Sequence, residues 1–378
     1  MDKKILGIAA IIAVIAVAAF GIFSAVPLLP LAQAQSKETV KIGVVVPMTG
    51  SQAEYGQGIR EGLELALSEI NQNPAYDFKI VLIYEDNAGD VKSSVSAAQK
   101  LIGVDKVAAI ISGVSQHSLA VAPIAEENKV VLYTMASQTS ALNGAGDFVF
   151  KNDDDLVTLG TAAARMIFGA GHRKVAILFS EYNDATVDAK NSFVEKFSKL
   201  GGEVVAVEGF QKGTTDFRTS LAKIKGSGAT ALFLNPIMGD CVPILKQIKE
   251  LGLQQTLYAN GTIESQEVID GAGDAAEGII FITFQGLPSD SFVQKSEAAY
   301  GHYPKRWAVE AYDGLHIIAA ALSKMKGSAI TSASLQGALV EVRAYIGESG
   351  DIEFDAQGNA RRELFVKQIK GGKFVLLD

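Results

Sequence analysis

The chain has 378 residues, of which 48% are hydrophobic and 20% charged, with a formal net charge of −8. That is a globular α/β composition of about two domains, not a disordered one. The negative balance without any basic stripe argues against a nucleic-acid partner. Cys241 is the sole cysteine, which excludes an internal disulfide and a cysteine-based metal site.

Lys3 and Lys4 precede an almost wholly apolar run from Ile5 to Leu29, and Ala32-Gln33-Ala34 fits a small-residue cleavage site. Residues 1–34 therefore read as a secretory signal peptide or, because the run reaches the ~20 residues that span a bilayer, as an uncleaved N-terminal membrane anchor. The protein is expected to be exported, periplasmic or extracellular, and to touch the membrane only through this segment.

Beyond it, β-branched Val40 to Val46 predicts a strand, and Ile59, Leu63, Leu67 and Ile70 mark one face of a helix. A strand over 78–84 and a helix through Val91, Val95 and Ala98 follow. Residues 107–142 then carry two apolar strands, Val107–Ile111 and Val130–Tyr133, each ending in small polar residues: Ser115, Gln116 and Ser118 after the first, Thr134, Ser137, Gln138 and Thr139 after the second. Ligands of open parallel sheets sit beyond the carboxyl ends of strands, where helix N-terminal N–H groups favour an anion. After a short strand at 148–150, Asp153 to Asp155 predict an N-cap and an acidic first turn. Strands near 175–179, 204–207, 231–234, 256–259 and 278–283 alternate with helices in a second series. Helices near 290–300, 307–325 and 332–345 and a tail of strands complete the chain. The expected fold class is α/β, with two Rossmann-like, doubly wound parallel-sheet lobes: 37–156 plus 286–344, and 157–285 plus 345–378.

Several enzyme-like patterns have plainer readings. Gly56, Gly58 and Gly62 depart from dinucleotide spacing and suit close helix packing. Ser115 sits between strand and helix as a hydrolase nucleophile does, yet His117, His172, His302 and His316 lie in no catalytic context. No metal or cofactor motif is present, so none is called for.

The ensemble resembles the leucine/isoleucine/valine-binding family of periplasmic solute-binding proteins (type I) that feed ABC importers. The resemblance runs through nearly all of 39–378 and rests on Val40 to Gly50, Tyr55-Gly56, Gly62 to Asn71, Glu85 to Ala88, Ser115, Thr134 to Leu142, Gly273 to Gly278 and Ile352 to Gly358. It implies a three-strand hinge with the ligand cleft between the lobes, a small-molecule ligand, a membrane permease as partner, and a monomer that is no enzyme. Carried onto this chain, Ser115 and the loop of Ala136, Ser137 and Gln138 would hold a ligand α-carboxylate, with Gln116 a further candidate ligand contact; Tyr55 would line the side-chain pocket, and Trp307 the cleft mouth or the core. The second lobe departs from the family. Asp184 is followed by Ala185 and Thr186 where an aromatic is usual, leaving Tyr182 as a possible wall. Ile237 and Met238 stand where a tyrosine is usual, and Gly261 aligns with the carboxylate that grips an ammonium. Glu264 and Asp184 are the candidate replacements. Expected is a binding protein for a small carboxylate-bearing solute, an amino acid or a relative; the rivals are a membrane-anchored sensing ectodomain and a serine hydrolase using Ser115.

Overall fold

Strand β1 (Glu38–Val46) is buried on both faces from Ile42 onward, as a central strand of a parallel sheet must be. The computed structural model describes residues 37–377; the expected signal or anchor lies outside the described residues. Helix α1 (Ala53–Gln72) returns the chain to β2 (Phe78–Asp86), α2 (Val91–Lys100) to β3 (Ala109–Gly113), and α3 (Ser115–Glu127) to β4 (Val131–Met135), before β5 (Val149–Lys151). These strands form one parallel sheet in the order β2-β1-β3-β4-β5.

The series then restarts with α4 (Leu156–Gly169), β6 (Lys174–Ser180), α5 (Asp184–Lys199), β7 (Glu203–Phe210), α6 (Arg218–Gly226), β8 (Ala231–Asn235), α7 (Cys241–Glu250), β9 (Thr256–Asn260), α8 (Gln266–Ala272) and β10 (Ile280–Thr283). Next, α9 (Asp290–Tyr300), α10 (Ala308–Ser323) and α11 (Ser332–Val340) return to the first core, where Phe292, Leu315, Ile318, Leu335 and Leu339 pack with Ile42, Val44 and Ile59. Strands β11 (Ala344–Gly347), β12 (Gly350–Phe354) and β13 (Ala360–Arg362) make a small antiparallel sheet, and β14 (Phe365–Lys370) with β15 (Lys373–Leu376) closes the second sheet, ordered β15-β14-β10-β9-β8-β6-β7. Only β14 runs against the others there, pairing antiparallel with β10 and with β15.

The sequence boundary assigned everything from 345 onward to the second lobe. Instead Ile352 and Ala360 are buried in the first core, with Tyr345 and Phe354 against it, and only the strands from Phe365 join the second sheet. The alternation of the tail shows strands but not which apolar face they seek.

The chain passes between the sheets around 152–155, 284–289 and 363–364. Buried Arg362 bonds the Asn152 carbonyl through Nε (2.7 Å) and Ser349 Oγ through Nη1 (2.8 Å). Ser349 in turn bonds Asp313 of α10, which also accepts from the Glu348 N–H (2.9 Å). Lys151 pairs with Asp155 and donates to Asn143 (2.6 Å). Asp155 is the N-cap residue of α4, as expected, but its side chain makes no capping bond, because Lys151 and Asn143 hold its carboxylate. Burial, with Glu310 nearby, pushes the Asp153 carboxyl up to about 7 against the pull of Arg362 and Arg306.

Close packing of α1 on α10 explains two glycines. A β-carbon at Gly62 would collide with the Ala308 carbonyl, and one at Gly58 with that of Arg306. Gly62→Ala forces the two helices apart, an overpacking cost larger than its gain in helix propensity. A loss of about 2 kcal/mol in urea unfolding is expected; an unchanged midpoint and slope would show that the contact is soft.

Candidate functional site

The carboxyl ends of both parallel sheets converge on one small cavity. It is lined by Tyr55, Val114, Ser115, Ala136, Gln138, Leu156 and Trp307 from the first lobe and its crossover, and by Asn183, Ala185, Thr186, Ile237, Asn260 and Thr262 from the second. Its volume is about 20 Å³, room for about one water-sized sphere.

On the first lobe, β3 ends at Gly113 and α3 starts at Ser115, with Val114 between them at φ +69°. No side chain caps α3, so the Ser115 and Gln116 N–H groups have no capping partner, and Ser115 lines the cavity. After β4, Ala136 is also left-handed, at φ +50°. Of the six described non-glycine residues with positive φ, Val114, Ala136 and Trp307 line this cavity, and left-handed backbone at a β-branched residue costs energy that surrounding structure must hold. Three non-glycine positions of positive φ converging here make this cavity the candidate site.

Trp307 is 2% exposed and stacks on Tyr55, with ring centroids 5.9 Å apart and planes 19° apart. The Arg306 guanidinium lies 3.8 Å from the Trp307 ring centroid. Arg306 is itself held by Gln285, by Glu310 (3.2 Å) and, through Nε, by the Gly261 carbonyl (3.4 Å). The Tyr55 hydroxyl accepts a hydrogen bond from the Met238 N–H (3.3 Å), a direct link between the lobes.

The second wall is polar but neutral. Asn183 accepts from the Ala185 and Thr186 N–H groups and caps α5. Asn260 donates to Asn235 (2.6 Å) and to the Pro236 carbonyl (3.2 Å); Thr262 donates to that same carbonyl (2.9 Å). Asn235 donates to the Thr186 carbonyl (2.7 Å). These side chains consume most of their own polar capacity, leaving a fixed rim around Ile237.

The expected site residues divide accordingly. Tyr55, Ser115, Ala136, Gln138 and Ile237 line the cavity. Gln116 does not: it is half-buried beside His117, because the helix turns it away. Ser137 is buried with its hydroxyl on Ser118 (2.8 Å) and the Met135 carbonyl (3.1 Å), so it braces the loop. Met238 contributes its backbone N–H to Tyr55 while its side chain packs on the first core. Gly261 is buried outside the lining, with Thr283 in the space a side chain would need. Neither candidate carboxylate serves: Asp184 is exposed to solvent, and Glu264 is paired with buried Lys367. Tyr182 supplies no wall, since its hydroxyl bonds Asp240 (2.9 Å). Sequence reasoning missed Asn183, Thr186, Asn260 and Thr262. The rule that exposed Ser115 and Gln138, small polar residues after a strand end, applies equally to them.

The hydrolase reading finds no support in this geometry. His117, the nearest histidine in sequence, bonds Ser94 through Nδ1 (3.2 Å) and Gln52 through Nε2 (3.0 Å), and burial with Lys212 nearby lowers its pKa to about 4. Its ring nitrogens are engaged away from Ser115.

A family model described as "Periplasmic binding protein" matches residues 39–373. The Leu/Ile/Val-binding protein homolog 6 of Brucella suis is 25% identical, the match covering 89% of each chain. The leucine binding protein LivK of Thermotoga maritima superposes with a TM-score of 0.82 at 28% identity, covering 90% of this chain and 98% of that one. A solute binding protein of an ABC transporter from Rhodopseudomonas palustris BisB5, in complex with 3,4-dihydroxybenzoic acid, gives a TM-score of 0.83 at 27% identity, covering 90% and 96%.

Trp307 is the chain's single tryptophan, so its fluorescence reports this cavity alone. Tyr55→Phe leaves the Met238 N–H without its acceptor and is expected to weaken the closed arrangement by about 1–2 kcal/mol. The readout is a red shift of Trp307 emission as water reaches the ring. Emission identical to that of the parent protein would mean the hydroxyl link does not hold the lobes.

Proposed function

The chain belongs to the periplasmic binding protein family, whose members matched here are solute-binding proteins rather than enzymes, and from that premise we propose that it captures a small organic carboxylate lacking an ammonium group and passes it to an ABC-type importer. The observation that carries this reading is the cavity lining, which among the described residues contains donors but no charged side chain.

The carboxylate would lie at Ser115 and the uncapped start of α3, where a hydroxyl and helix N–H groups complement an anion without a full positive charge. The body of the ligand would meet Tyr55, Trp307, Leu156 and Ile237, a flat and largely apolar enclosure. An amino acid would bring an ammonium with no carboxylate to meet it: Gly261 has no room for one, Glu264 is paired with Lys367, and Asp184 faces solvent. Enclosing that charge unpaired costs several kcal/mol. The relative solved with 3,4-dihydroxybenzoic acid holds an acid of the proposed kind.

Capture would proceed by lobe closure. The present cavity is far below the ~300 Å³ at the lower end of small-molecule pockets, so the lobes must part to admit a ligand. Ligand favours the closed form only through contacts made there and not in the open form. A permease would read the closed surface.

The test is a thermal-shift comparison of matched pairs, 4-methylpentanoate against leucine and phenylacetate against phenylalanine. The acids are expected to stabilise, by about 2.7 kcal/mol at a hundredfold excess over Kd, and their amino derivatives are not. Equal shifts within each pair would sink the exclusion of ammonium; no shift from any acid would sink the carboxylate reading. For whichever acid binds, Ser115→Ala should weaken affinity about tenfold or more, the usual worth of a hydrogen bond to a charged group, with the melting temperature of the free protein unchanged. Unaltered affinity would place the carboxylate elsewhere.

A further inference from the structure

Several contacts near the cavity join one lobe to the other and must break when the lobes part. Tyr55 accepts from the Met238 N–H, Asp188 of α5 accepts from the Ser140 N–H (3.0 Å) and hydroxyl (2.8 Å), and Lys212 donates to the Gly89 carbonyl (3.2 Å). A fourth is of another kind. Glu54, in the first turn of α1, accepts from the hydroxyl of Ser265, which caps α8 in the opposite lobe. Glu267, in the first turn of α8, faces it as a second carboxyl. Both carboxyls line a separate interlobe cavity of about 320 Å³, which shares Tyr55 with the first.

We infer that closing the lobes takes up one proton from solvent at Glu54, where the Glu267 carboxyl lines the same seam, so that pH sets how readily the closed form is reached. Partly burying an ionised Glu54 beside a second carboxyl is unfavourable through lost hydration and repulsion, and protonating it removes both penalties. The groups around Glu54 do not remove the conflict. Ser265 donates one hydrogen bond. Lys305, the cation nearest in the seam, is divided among Gln57 (2.7 Å), Glu61 (3.7 Å) and a more distant pull on Glu54. Burial first and Glu267 second raise the Glu54 carboxyl from 4.5 to about 7 in the closed form, with Ser265 and Lys305 opposing.

The sign follows from linkage. With the lobes apart Glu54 stands in water and titrates as an ordinary carboxyl. The closed form then holds a proton that the open form has lost across the window from about 4.5 to about 7. Closure is therefore fully favoured by this pair below that window, loses roughly tenfold per pH unit through it, and is insensitive to the pair above it. Any ligand gripped only by the closed form inherits the same dependence, whatever its chemistry, so the inference does not rest on the class of solute proposed above.

The test needs no ligand. Small-angle scattering and Trp307 emission of the free protein are recorded at pH 5 and pH 8. The parent protein is expected to be more compact, with bluer emission, at pH 5. Glu54→Gln, which keeps a hydrogen-bonding group without the charge, should give the compact, blue-emitting form at both values. Glu267→Gln should shrink the pH response while leaving some of it, since burial of Glu54 remains. The crossover carboxyl Asp153 also titrates near neutrality, and a pH response equally large in Glu54→Gln and the parent would assign the effect there and overturn the inference. So would a parent protein whose scattering and emission are the same at the two pH values.

Discussion

Arg362 is where the two lobes are referred to a common frame. Its guanidinium is buried among the crossovers, fixed to the backbone of the first at Asn152 and to Ser349, which Asp313 anchors to α10. A buried ionic cluster of this kind adds little net stability but is costly to break, because any member left alone is an unpaired charge in a low dielectric. Its worth is geometric. With crossovers fixed to each other and to the first core, the strand ends of the two sheets are held facing one cavity.

What meets there is unequal. The first lobe offers unpaired donors at strained backbone, with Val114 and Ala136 held left-handed at adjoining strand ends. The second offers amides and hydroxyls already spent on one another through Asn235, Asn260 and Thr262. One side presents free donors and the other a fixed shape. Between them Trp307 is clamped from behind by Arg306, whose Nε also bonds the Gly261 carbonyl, so the aromatic wall is referred to both lobes at once.

The doubly wound fold was legible in the chain because strands buried on both faces are written as short apolar runs, as in Val107 to Ile111 and Ala231 to Leu234. The region of the site was legible for a related reason: chains turning at strand ends need small polar residues, and those are visible as letters. Which way each side chain points was not. Ser115 and Gln116 differ by one residue, about 100° around α3, and only one reaches the cavity. Glu264 shows a carboxylate in the right loop, while its fate depends on Lys367, 103 positions later. The tail strands alternate plainly, yet nothing local says that β12 and β13 belong to the first core and β14 to the second sheet. Trp307 sits in a left-handed conformation before its helix, a choice made by Arg306 and Tyr55 and not by its own propensity.

The return of β14 to the second sheet orders events in time as well as space. Strand β10 is made nearly ninety residues before the segment that covers its outer edge. Until residues 365–370 emerge, that edge is open, and Glu264 is a carboxylate whose cation has not yet been synthesised. The loop at Gly261 to Ser265 that supports one wall of the cavity is therefore braced by the far end of the chain, and the second sheet is complete only once its last strands are in place.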